Sequence, residues 1–65
     1  MKKVKYHWIC FLQDEEKMHN VREVMLLENA EVHFRSNDTD GETRYYTWSV
    51  SKFESTFKIN LLDYI

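Results

Sequence analysis

Apolar and polar residues alternate on both sides of one polar run, and this pattern organises the chain. Ala30, Val32 and Phe34 alternate with Glu31, His33 and Arg35. Beyond the run, Tyr46, Trp48 and Val50 alternate with Tyr45, Thr47 and Ser49. Between them lies Ser36-Asn37-Asp38-Thr39-Asp40-Gly41-Glu42, which carries an Asp-Gly turn signal. A period of two around such a signal predicts a β-hairpin over 30–50, apolar on one face and wet on the other. Glu31, His33, Arg35 and Tyr45 are expected on the wet face.

The same period runs through 4–13. Val4, Tyr6, Trp8, Cys10 and Leu12 form one face of a first strand. Lys5, His7, Ile9, Phe11 and Gln13 form the other, polar at its start and apolar further on. A strand apolar on both sides belongs in the middle of a sheet, or where a second subunit covers it. A helix of the same chain laid over that face would serve equally. Residues 14–29 carry two competing periods. Met18, Val21, Val24, Met25 and Glu28 lie at helical spacing, whereas Val24 and Leu26 extend the alternation of Ala30–Phe34 backward, with Glu28 as the miss. The first reading gives a helix over 15–28. The second gives a meander, with strands Met18–Val21 and Val24–Arg35 bent near Glu28-Asn29. The β-branched Val21 and Val24 favour the second.

Near the C-terminus, Ser51-Lys52-Phe53-Glu54 has the form of a capping box, Ser51 being the N-cap and Glu54 the third residue. Phe53, Phe57, Leu61 and Tyr64 follow at helical spacing, which predicts a short helix packed on the sheet. The competing reading is a single turn over 52–56, then a strand in which Phe57, Ile59 and Leu61 alternate. The expected architecture is α+β: a β-rich antiparallel sheet of three to five strands with a C-terminal helix on one face.

Sixty-five residues make one domain, 1–65, close to the limit of independent stability. Cys10 has no second cysteine to pair with, so cohesion must come from packing or from a second subunit. Ten aromatic side chains supply the packing: four Phe, four Tyr and two Trp. Each buries roughly 150–250 Å². One glycine and no proline, with this aromatic load, mark a folded chain. The start, Met1-Lys2-Lys3, leads into a short apolar run interrupted by Lys5 and His7, so neither a secretion signal nor a membrane span is expected. A lone thiol fits a reducing cytoplasm.

Candidate chemistry is sparse. Cys10 lies on the most apolar strand, on the face opposite His7, the setting of an inert buried thiol. No serine sits in a Gly-x-Ser-x-Gly elbow. His7, His19 and His33 are too widely spaced for a turn-borne metal pair, although pairing of their strands would bring His7 beside His33. Asp38, Asp40 and Gly41 resemble the start of a calcium loop, but residue 47 is Thr where that motif needs Glu. Turn chemistry explains them better. No catalytic, metal or cofactor residue is assigned.

Formal net charge is −2, unevenly spread. Residues 14–42 hold nine acids against Lys17, Arg22 and Arg35, while the first thirteen residues are basic. An acidic middle either keeps a small protein soluble or meets a basic surface. Single-strand binding needs free aromatics and positive charge. Alternation leaves Tyr45 free but sends Tyr46 and Trp48 to the core.

In size, in its aromatic sheet and in its lack of catalytic groups, the chain resembles the small accessory proteins of phages and mobile elements. That resemblance implies a protein that binds a host protein and inhibits or modulates it. The expected function is therefore non-enzymatic protein–protein contact. Glu31, His33, Arg35, Asp38, Asp40 and Tyr45 are the contact candidates, and His7, Ile9 and Phe11 line a homodimer interface. A nucleic-acid-associated module, either a single-strand binder or an acidic mimic, is the alternative.

Overall fold

Four strands joined by short loops make up the body of the chain. A computed structural model describes residues 3–64, and for Tyr64 the backbone alone. Strands β1 (Val4–Gln13), β2 (Asn20–Leu27), β3 (Glu31–Asn37) and β4 (Thr43–Ser49) form one four-stranded antiparallel sheet in chain order. Helix α1 (Val50–Phe57) and a 3-10 turn (Leu61–Tyr64) follow. The fold is α+β, as the alternation and the aromatic spacing predict. No helix among the described residues is long and apolar enough to cross a membrane.

The strand reading of 14–29 holds in kind, and no helix forms there. Its boundaries shift, however. One continuous β2 replaces the expected break between Val21 and Val24. A register shift of β2 against β3 between Val21 and Glu23 places one extra residue there, so Val21 and Val24 both reach the core at a spacing of three. That bulge made a strand imitate helical spacing. The bend near Glu28-Asn29 is a full turn, closed by Ala30 N–H donating to Leu27 O at 3.2 Å. Ala30 was expected in the strand; it sits in the turn instead, with φ 64°.

The first strand is not in the middle of the sheet. It is an edge strand, and the helix lies on the opposite side from Ile9 and Phe11. Cys10, Val21, Val24, Val32, Phe34, Phe53, Phe57 and Leu61 form the buried cluster, with Trp8, Leu12, Leu26, Tyr46 and Trp48 packed around it. Phe34 is its hub, with ring centroids 4.9 Å from Trp48, 5.0 Å from Phe53 and 5.1 Å from Tyr46. Such offset and edge-on pairs stabilise by about 0.5–1.5 kcal/mol each beyond area burial.

Helix α1 is capped two residues earlier than expected. Ser49 is the N-cap, accepting from Lys52 N–H at 3.2 Å, and Val50, expected on the strand, opens the helix. Ser51 is not the cap because β4 runs straight into the helix after Ser49. Glu54 instead accepts from Leu61 N–H at 2.9 Å and ties the 3-10 turn back to the helix. The helix ends at Lys58, in the left-handed region with φ 58°. Leu61 is buried from the 3-10 turn rather than from a longer helix.

Two stability outcomes follow from this packing. Phe53 is fully buried, so Phe53→Ala should cost about 3–5 kcal/mol in a urea titration. Ala30 bears a Cβ at positive φ, so Ala30→Gly should raise stability by about 0.5–1 kcal/mol. An unchanged denaturation midpoint in either variant would contradict the corresponding account.

Candidate functional site

Two regions gather polar side chains, and they lie on different parts of the sheet. The first is at the end where the β1–β2 and β3–β4 loops meet. The loops touch through backbone, Thr39 N–H donating to Met18 O at 3.2 Å. Within the β3–β4 turn, Asp38 N–H donates to Glu42 O at 2.8 Å and Gly41 N–H to Asp38 O at 2.9 Å, with Gly41 at φ 87°. That conformation favours glycine, so the Asp-Gly signal marks turn chemistry.

Asp38 is the centre of this end. Its side chain is buried, and four side chains converge on it. Ser36 Oγ donates to Oδ1 at 2.7 Å, His19 Nδ1 to Oδ1 at 2.9 Å, and Arg44 Nη1 to Oδ2 at 2.9 Å. The Tyr46 hydroxyl donates to Oδ2 as well. Arg44 also clamps Asp40, Nη2 to Oδ2 at 2.7 Å. Burial alone pushes the Asp38 carboxyl up, but the bonds from Tyr46, His19, Ser36 and Arg44 outweigh it and hold the group well below the usual carboxylate range. The Asp38 hydrogen bond raises the Tyr46 phenol, and Arg44 lowers Asp40.

Asp38 was a contact candidate, but its oxygens are committed inside the fold, leaving Asp40 and Arg44 at the surface. His19, Ser36, Arg44 and Tyr46 were not anticipated, because no spacing in the sequence reports that two loops meet. A depression of about 440 Å³, bordered by Met18, His19, Thr39, Asp40, Arg44 and Tyr46, opens beside the cluster.

The second region is the sheet face opposite the helix. Cross-strand register puts Ile9, Glu23, Arg35 and Tyr45 in one row, and His7, Met25, His33 and Thr47 in the next. Residues paired across strands share a face. The contact candidates Glu31, His33, Arg35 and Tyr45 therefore lie on the same face as the interface candidates His7, Ile9 and Phe11. Ile9 is 63% exposed, Phe11 79% and Tyr45 77%. Glu31, His33 and Arg35 are half-buried rather than fully wet. His7 Nε2 lies 2.7 Å from Glu23 Oε2, and Arg35 Nε lies 3.5 Å from Glu23 Oε1. Arg22 stands over the Phe11 ring at 5.2 Å. His7 and His33 share a row but are not neighbours, since Met25 stands between them.

Cys10 is buried, and that burial pushes its thiol up, an effect that Arg22 only partly offsets. Among the described residues, no three His, Cys, Asp or Glu side chains gather as a metal site would require. Comparison of the chain with protein-family models, with curated proteins and with solved structures finds no match.

The Asp38 cluster has a definite pH signature. Its folded carboxyl titrates below an unfolded aspartate, so the stabilisation is complete above about pH 4 and drains away as pH falls further. Asp38→Asn should lose about 2–3 kcal/mol at neutral pH. Its stability should then change less than that of the parent between about pH 5 and pH 2. Urea midpoints measured across that range test both statements, and parallel pH curves would refute the assignment.

Proposed function

We propose that the chain acts without catalysis, by protein–protein contact, and that the uncovered sheet face is its working surface. One observation carries the reading: Ile9, Phe11 and Tyr45 are each more than half exposed on a face that the chain's own helix does not cover. Apolar side chains scattered singly need no explanation, but three on one sheet face beside a charged row form the layout of a contact surface. Glu23, Arg35 and His7 supply orientation, and the aromatics supply buried area. The likeness to small accessory proteins supports the same role, in which the chain occupies a partner's surface and so inhibits or modulates it. Cys10, buried and unpaired, suits a cytoplasmic setting.

A second reading has an observation of its own. Phe11 and Tyr45 stand exposed with Arg22 and Arg35 beside them, and a sheet bearing free rings and guanidinium groups is a stacking platform for single-stranded nucleic acid. The net charge of −2 weighs against it. A labelled oligonucleotide titrated across a salt series separates the two, since strand binding weakens steeply as salt rises.

Affinity capture tests the main reading. The tagged wild type and an Ile9→Ser/Phe11→Ser/Tyr45→Ser variant are compared in native extract, with retained helix and sheet content checked by circular dichroism. The variant should lose the captured proteins, copies of the chain itself included. An identical captured set from both would overturn the proposal.

A further inference from the structure

We infer that the occupant of the open face is a second copy of this chain, packed face to face about a two-fold axis that runs parallel to the strands between β2 and β3. The inference rests on the reading of that face as a contact surface and names what contacts it.

Order within a row decides the axis. Across the sheet the central row reads apolar, acidic, basic, apolar: Ile9, Glu23, Arg35, Tyr45. A two-fold axis parallel to the strands reverses that order in the second copy. Glu23 then faces Arg35 of the second copy, and Ile9 faces its Tyr45. The adjoining row reverses with it, bringing Met25 against His33 and His7 against Thr47. An in-plane axis across the strands preserves the order instead. It would set Glu23 on Glu23 and Arg35 on Arg35, and such like-charge contacts are selected against. The surface is thus self-complementary in the sense an isologous interface requires.

Covering the face pairs the charges of its central row. Glu23 already holds His7 at 2.7 Å and Arg35 at 3.5 Å within its own chain, and it gains a second guanidinium from the other copy. Removing charges from water is costly when they are unpaired and tolerable when they are matched on every side. Four strands about 4.8 Å apart and seven residues long at about 3.3 Å each present a face of roughly 450 Å² per copy. A pair therefore covers about 900 Å², below the standard range for specific complexes, which points to a reversible dimer rather than a permanent one. Stacked as two sheets about 10 Å apart, the copies make an aligned sandwich. The same axis sets the acidic loop ends of both copies side by side at one end, a repulsion that the Glu23–Arg35 pairs must outweigh.

Charge exchange tests whether this charged row meets a second copy. Sedimentation velocity of the full chain, from about 5 to 500 μM, should show a monomer–dimer equilibrium. Glu23→Arg and Arg35→Glu should each weaken self-association at least about tenfold. Mixing the two single variants should restore a dimer, because each then presents the charges the other lacks. The Glu23→Arg/Arg35→Glu double variant should self-associate like the parent. A merely intrachain Glu23–Arg35 pair predicts no recovery on mixing, so a mixture that stays monomeric overturns the inference. Single variants that dimerise as well as the parent overturn it too, by placing the interface elsewhere. A parent that is monomeric throughout also refutes it. In that case loss of captured proteins from the Ile9, Phe11 and Tyr45 variant would still leave the contact reading standing, with a different occupant.

Discussion

A buried carboxylate is tolerable only if its charge is matched, and Asp38 is matched from two strands and a loop at once. Its donors come from the β1–β2 loop (His19), the end of β3 (Ser36) and the first half of β4 (Arg44 and Tyr46). Asn20 adds to the stitching: its backbone N–H donates to Ser36 Oγ at 3.0 Å, and its side chain donates to Asn37 O at 2.8 Å. A one-residue slip of β2 against β3 would reverse which side chains face the core. It would also strand this carboxylate without partners. The aromatic cluster supplies cohesion without direction; the Asp38 bonds set the register in which that cohesion is used.

With the register set, the two faces of the sheet have different fates. Phe53 and Phe57 of α1, with Leu61, cover the face that carries Val21, Val24, Val32 and Phe34. No further layer among the described residues covers the other face. Glu23, His33 and Arg35 on the middle strands are half-buried, and Ile9 and Tyr45 stand exposed at the flanks of the central row. The contact and interface residues picked out on separate strands thus merge into one surface, because sheet order brings β1 and β4 to opposite edges of the same face.

Much of this was legible in the chain. Strict alternation named β1 to the residue, and the polar run around Asp40-Gly41 located the β3–β4 turn. Where alternation was interrupted, legibility failed for a physical reason. The extra residue at Arg22 sets Val21 and Val24 three apart, which reads as a helix until a partner strand reveals the bulge. Two serines two positions apart both suit a cap, and the end of β4 decides for Ser49. The Asp38 cluster was illegible because His19 reaches it from 19 positions away, whereas Ser36, Arg44 and Tyr46 lie within eight positions of Asp38. Local pattern carries no information about which loops meet at the end of a sheet.

The irregular edge of β1 has a consequence for assembly. Its pairing with β2 slips between Val4 and Tyr6 and again between Ile9 and Leu12. A straight ten-residue border would offer a continuous ladder of donors and acceptors to any extended peptide. Interruptions twist such a border and break the ladder, a device that protects sheets against endless lateral growth. The β1 border therefore discourages strand-by-strand extension, and stickiness on the broad side of the sheet can be kept without that hazard at this edge.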